Sequence, residues 1–218
     1  MNLIRYGIIS VLILILAVTI LAYPALPDMI PSHWNMAGEV DGYLPKLWGL
    51  LIIPLLTIPL TALFFLLPRI DPLKENYGKF RPYYDGFILV FLVFFLAIQM
   101  QIILWGLGYQ ISPNLLIPVL TGALFIYLGF LVEHAEQNWF VGIRTPWTLS
   151  SQHVWKKTHI LGGKLFKIAG IISIIGVFSG DYAFWFIIVP ALAVAIITVV
   201  YSYIEYQKEM RPKENISV

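Results

Sequence analysis

The stretch GFILVFLVFFLAIQMQIILWGL, Gly86–Leu107, decides the fold. It carries no charge from end to end, and roughly 20 predominantly apolar residues are what an α-helix needs to cross about 30 Å of hydrocarbon. A strand of a membrane barrel would alternate apolar and polar residues over about 10 positions. Here the apolar side chains run on continuously. Backbone groups in lipid must satisfy their own hydrogen bonds, so the stretch is predicted to be a transmembrane helix. Five more runs share the pattern: Leu3–Tyr23, Leu47–Leu67, Leu115–Leu131, Leu165–Ser179 and Ala183–Tyr203. The expected fold class is an all-α integral membrane protein with six transmembrane helices, one structured outer loop and one structured inner loop. The fifth run is the shortest, and Lys164 and Lys167 beside it are placed to snorkel.

Composition agrees. Of the 218 residues 59% are hydrophobic and 12% charged, where a soluble domain carries about 25% charged residues. With no cysteine, disulfides, thiol catalysis and cysteine-ligated metals are excluded. The net charge of +2 matters less than its distribution. Threaded through six spans, thirteen of the fourteen Lys and Arg fall on one side, with Lys46 alone on the other. The thirteen are Arg5, Arg69, Lys74, Lys79, Arg81, Arg144, Lys156, Lys157, Lys164, Lys167, Lys208, Arg211 and Lys213. Cytoplasmic loops are the basic ones, so both termini are expected in the cytoplasm of a prokaryote, with the spans in its plasma membrane. The first run could imitate a signal peptide, but Tyr23-Pro24-Ala25-Leu26-Pro27 lacks a small-x-small cleavage site, and a retained helix is expected.

The chain divides into an N-terminal membrane domain with its outer Pro/Trp loop (1–67, loop 24–46), central spans three and four with a basic cytoplasmic loop (68–131), and a C-terminal part with spans five and six (132–218). In the outer loop Pro24, Pro27 and Pro31 exclude a regular helix. Asn35 to Gly38 and Asp41-Gly42 carry turn chemistry, and Trp34, Tyr43 and Trp48 suit the membrane interface. Pro54 and Pro59 kink span two, with Thr57 and Thr61 placed to meet freed carbonyls. The loop from Pro68 to Asp85 is expected to serve orientation and headgroup contact. Gln99 and Gln101 do not share a helical face and are expected to hydrogen-bond between helices. Gly122, Gly129, Gly170, Gly176 and Gly180 indicate close helix packing. No Asp, Glu, His, Lys or Arg sits in the middle of a span, which weighs against proton relays and charge-coupled transport.

Two polar motifs remain, one on each side. The outer one is IPSHWNMAGEVDGY, residues 30–43. The inner one is NWFVGIRTPWTLS, residues 138–150, continuing as VWKKTHILGG through residues 154–163. Together they resemble the SdpI family, membrane proteins named for immunity to the sporulation-delaying-protein toxin. The outer motif resembles the small domain of unknown function found at the N-terminus of that family. The inner motif resembles the family's C-terminal signature, in its Gly-Ile-Arg-Thr-Pro-Trp-Thr and Trp-x-x-Thr-His-x-x-Gly-Gly stretches. The resemblance implies a multi-pass protein that protects against a membrane-active peptide toxin or senses one. Its candidate partners are the lipid bilayer, an extracellular peptide toxin and a cytoplasmic repressor protein. The ligand- or partner-binding residues it implies are Asn138, Gly142, Arg144, Thr145, Pro146, Trp147, Trp155, His159 and Gly162 inside. Outside they are Pro31, His33, Trp34, Asn35, Gly38, Asp41 and Gly42.

Read by their chemistry, the inner residues predict a helix capped by Thr148 or Ser150 and beginning near Ser151. Gln152, Trp155, His159 and Gly163 share one face of it, and Gly162-Gly163 form a joint before span five. Trp139, Trp147 and Trp155 are expected to be buried against protein or headgroups. Arg144 suits a carboxylate or phosphate; its structural alternative is a salt bridge to Glu133 or Glu136, or a bond to helix-end carbonyls. His134, His153 and His159 lack metal-ligand spacing, and His33 is expected to bond within its own loop. No catalytic residue, metal or cofactor is expected. A small-solute transporter or channel, and a membrane enzyme acting on lipid headgroups through Arg144, Asn138 and His159, stand as alternatives.

Overall fold

The structure, a computed structural model, describes residues 3–211. Lys213, which entered the charge partition, lies outside the described residues. Six helices are long and apolar enough to cross a membrane, and the chain is a multi-pass membrane protein. They are α1 (Leu3–Ala22), α2 (Lys46–Ile70), α3 (Tyr77–Gly106), α4 (Pro113–His134), α6 (Gln152–Ile175) and α7 (Trp185–Met210), with a short α5 (Pro146–Ser150) between α4 and α6. Each run expected to span lies within or largely within one of the six. α3 bends at Phe80 (φ −123°, ψ 17°), close to Pro82.

The outer loop is not irregular. It folds as an antiparallel hairpin of β1 (Met29–Trp34) and β2 (Val40–Pro45). Prolines that exclude a helix do not exclude an edge strand, and Pro31 pairs with Tyr43 inside the ladder. The turn forms at Asn35 to Gly38, as expected: the Gly38 N–H donates to the Asn35 carbonyl and the Glu39 N–H to the Asn35 side chain. Gly38 takes φ +80° there, a conformation favouring glycine. Asp41-Gly42 is no turn; both residues lie in β2, where Gly42 opposes His33 across an irregular register. A two-stranded hairpin is marginal alone, and docking holds this one. Ile30 is fully buried, wedged where a Cβ on Gly49 of α2 would lie 2.8 Å from it. Trp34 packs edge-on against Trp105 of α3, ring centroids 5.6 Å apart. Tyr43 and Trp48 are exposed.

Prolines inside α2 free carbonyls that neighbouring helices take up. Pro54 leaves the Leu50 carbonyl without its helical donor. Gln99 of α3 supplies one at 3.1 Å while also donating to Thr19 of α1 at 2.9 Å. A single buried amide thus ties three helices. Pro68 likewise frees the Phe64 carbonyl, which the Tyr84 hydroxyl meets at 2.7 Å. Thr57 and Thr61, expected in this role, bond to the Ile53 and Thr57 carbonyls instead. Those are their own ordinary fourth-back neighbours.

Gly162-Gly163 are not a joint. α6 runs unbroken from Gln152 to Ile175, so the signature helix and the fifth span are one element. The reason lies in packing. A Cβ on Gly163 would stand 2.7 Å from the Gly129 carbonyl, and one on Gly129 would stand 2.6 Å from the Gly163 carbonyl. Two turns along, Gly122 and Gly170 make the same reciprocal contact at 2.6 and 2.5 Å. α4 and α6 therefore touch backbone to backbone through small residues, a contact that recoups the glycines' helix penalty of about 1 kcal/mol each.

Candidate functional site

The segment between α4 and α6 folds over the inner ends of the helices around Asn138. This side chain is fully buried. Its Oδ1 accepts the N–H groups of Phe140 and Val141 at 2.9 and 2.7 Å, and its Nδ2 donates to the carbonyls of Glu136 and Val141 at 2.9 and 2.8 Å. An unwound backbone needs substitutes for helical partners, and one asparagine supplies four.

The loop after α2, expected to serve orientation and headgroup contact, also grips this knot. Asp71 caps α2 and is buried. Its carboxylate accepts from the Leu73 N–H at 2.7 Å, the Trp139 N–H at 2.9 Å and the Tyr77 hydroxyl at 3.3 Å. The same hydroxyl lies 3.2 Å from Asn138 Oδ1. Asn76 donates to the Gln137 carbonyl at 2.7 Å. Asp71, Asn76, Tyr77 and Gln137 were not singled out by sequence; the only available signal was an acidic residue among the basic ones of that loop.

The remaining signature residues close the structure from the other side. The Trp155 indole donates to the Ala135 carbonyl at 2.7 Å. His159 stacks on Trp155 at 3.9 Å between centroids and lies against its carbonyl through Nδ1 at 2.8 Å, while Nε2 accepts the Ile143 N–H at 3.0 Å. An accepting Nε2 makes the ring neutral with its proton on Nδ1. Gly142 adopts φ +117°, and a Cβ there would meet His159 Nε2 at 2.3 Å. Gly162 leaves room for Ile143, whose Cδ1 would be 2.2 Å from a Cβ.

Thr145 caps α5, in a reciprocal capping box with Thr148, and Pro146 opens that helix. Ser151, not Thr148 or Ser150, caps α6. Thr145 also bonds Ser202 of α7 at 3.0 Å, and Trp147 packs on Tyr203.

Arg144 differs. It is exposed, and one N–H donates to the Trp139 carbonyl at 2.7 Å. This is the carbonyl alternative; Glu133 pairs with Lys167 instead. Trp139 is half exposed at 50%, against 3% for Trp155. Protein covers only half of the Trp139 ring, because its backbone, not its ring, is what the knot holds. Buried charges secure the helix ends around the module. Asp85, fully buried, lies between Arg5 at 3.0 Å and Arg81 at 2.7 Å. Glu205 holds Lys157 and Lys208, each at 2.7 Å.

The outer motif is looser. His33 and Asp41 pair through exposed side chains, the Asn35 amide donates to Glu39 at 3.0 Å, and Asn114 of α4 donates to the Met36 carbonyl at 3.0 Å. Inner and outer motifs lie at opposite ends of the helices, and no signature residue of one meets the other among the described residues. His134 stacks on Tyr83 and lines the same cleft as His159, and no group of three metal-ligating side chains gathers among the described residues.

Known proteins place this arrangement. Residues 134–202 match the SdpI/YfhL protein family, and residues 10–58 match a domain of unknown function, DUF1648. The Immunity protein SdpI of Bacillus subtilis (strain 168) is 30% identical over 207 residues, covering 94% of this chain and 97% of that protein. No solved structure matches. The match to the signature module, with kinship along nearly the whole length, makes this chain a member of the SdpI/YfhL protein family.

Proposed function

We propose that this chain protects a prokaryotic plasma membrane against a membrane-active peptide toxin, or senses such a peptide, by binding and without enzymatic chemistry. The observation that carries this reading is the kinship with the Immunity protein SdpI over 94% of the chain. The outer hairpin, with Trp34 and Tyr43, would intercept an amphipathic peptide. The inner module would stabilise or report. Its exposed Arg144 and Trp139 offer a planar cation beside an aromatic ring to a cytoplasmic partner such as a repressor protein.

The geometry supports binding over the alternatives. Asn138 and His159, which a lipid-cleaving site would need free, have their polar atoms engaged in holding backbone. A base must reach a substrate proton within hydrogen-bond distance. The Nε2 of mid-span Gln99 is committed to Thr19 and Leu50, a role in tying helices together, while its Oε1 is buried without a partner among the described residues. Orientation follows from the charge partition: both termini and the inner module in the cytoplasm, the hairpin outside.

The test is expression in a bacterium killed by a membrane-active peptide, Bacillus subtilis lacking its own Immunity protein SdpI being the direct host. Survival and membrane potential should be restored. Continued killing, with the chain present in the membrane, counts against protection. Reporter fusions at Asp41 and after Arg211 should report opposite compartments; the same compartment for both would sink the six-span orientation.

A further inference from the structure

We propose that the outer hairpin roofs a binding cavity for an extended, apolar peptide segment, gripped by its backbone amides through Trp34 and Gln101. The proposal rests on the protective or sensing reading and gives it a site. A cavity of about 600 Å³ lies beneath the hairpin, between α3, α4 and the start of α7, with Trp34, Gln101, Asn114, Ile117, Phe184 and Ile187 in its lining. That volume is in the range of small-ligand sites.

Two buried polar atoms on the lining residues have no hydrogen-bond partner among the described residues: Nε1 of Trp34 and Oε1 of Gln101. The Gln101 amide is oriented by its Nε2, which donates to the Ile111 carbonyl, so the unmet atom is the oxygen. An unmet buried polar group is costly, and both atoms lie beneath the surface of their surroundings, so a ligand that draws them toward the cavity and meets both gains affinity. The indole can only donate and the amide oxygen can only accept.

The ligand must therefore offer an acceptor and a donor within an apolar body. A backbone peptide unit does so. A helical peptide has already spent its amides on itself, whereas an extended one presents them. Phosphate and ester oxygens of lipids only accept and acyl chains do neither, while the donors of a lipid, its headgroup ammonium or hydroxyl, sit at its polar end and not within its apolar body. Apolar side chains of the segment would rest on Ile117, Phe184 and Ile187, with the His33–Asp41 pair at the polar rim.

The chain contains no cysteine, so Met36→Cys, at an exposed position on the cavity lining, can carry a single bimane fluorophore in lipid nanodiscs. The probe is the blocked tripeptide acetyl-Leu-Val-Leu-amide, with its backbone N-methylated form as control. The expected result is a saturable signal. Binding should weaken about tenfold on N-methylation, about tenfold in Trp34→Phe and in Gln101→Leu, and vanish in Ile187→Trp, which fills the cavity. Circular dichroism should show unchanged helix content in each variant. Equal binding of the N-methylated probe, or displacement of the tripeptide by lysophosphatidylethanolamine at the same concentration, overturns the proposal in favour of a lipid. Cells separate the cavity from the reading beneath it. Protection by Ile187→Trp equal to that by the unaltered chain removes the cavity and leaves the protective reading. Backbone-selective tripeptide binding without protection of any cell does the reverse.

Discussion

The inner module and the outer hairpin are both loops rich in Trp, Gly and Pro, and they are built on opposite terms. Inside, Asn138, Asp71, Thr148, Trp155 and His159 spend their polar atoms on the backbone of the segment between α4 and α6, and only the Thr158 hydroxyl beside them is buried without a partner among the described residues. Outside, the polar pairs are exposed, and Trp34 and Gln101 keep buried polar atoms unmet. A satisfied network specifies one rigid arrangement; unmet groups beside a cavity leave something for a ligand to do. The same residue types therefore serve architecture at one end and recognition at the other. Similar motif density in a sequence does not mean similar roles.

Substitutions should expose this contrast. Asn138→Ala removes four hydrogen bonds and strands buried backbone groups. It should cost about 3 kcal/mol or more, read as a large drop in melting temperature in nanodiscs; a near-unchanged melt would dissolve the distinction between the two ends. Gly142→Ala comes next. A side chain at φ +117° that also meets His159 at 2.3 Å should cost about 2–3 kcal/mol, with rapid amide exchange at Ile143 as the local signature. Protection from exchange equal to the parent would mean the ring has simply moved aside.

Arg144→Lys separates architecture from docking within the inner module. One hydrogen bond from an exposed side chain is worth about 0.5–1.5 kcal/mol, and an ammonium can make it. The melt should shift by less than about 1 kcal/mol, while signalling to a cytoplasmic partner, which needs the planar fork, should fall. Full signalling with lysine would reduce Arg144 to a positive charge among others. The smallest effect is expected outside. His33→Ala breaks an exposed pair worth at most about 1 kcal/mol, so the melt should be nearly unchanged. A drop comparable to that of Gly142→Ala would show the hairpin to be as tightly interlocked as the inner module.

Much of the fold was legible in advance because hydropathy acts locally. A continuous apolar run has one solution in lipid, so every span was found. What failed were inferences from one residue's habit. Gly162-Gly163 suggested a joint, since glycine weakens helices, but Gly129 on α4 approaches too closely for anything larger. Asp41-Gly42 suggested a turn, yet both residues lie in β2. Thr57 and Thr61 looked like partners for the carbonyls freed by Pro54 and Pro59, yet Gln99, far along the chain, reaches the one freed by Pro54, and Tyr84 reaches another freed by Pro68.

The sequence by itself determined that the chain spans a membrane six times, which end is basic, and which two motifs break the apolar pattern. Those follow from the transfer of side chains and backbone out of water, a property each segment carries alone. The tertiary structure alone decided that Asp71 and Tyr77 complete the inner knot, that the signature helix and fifth span are one, and that Trp34 and Gln101 line one cavity. Each of these depends on distances between groups remote in sequence. A hydrogen bond or a backbone contact exists only once packing has brought both partners within a few ångströms.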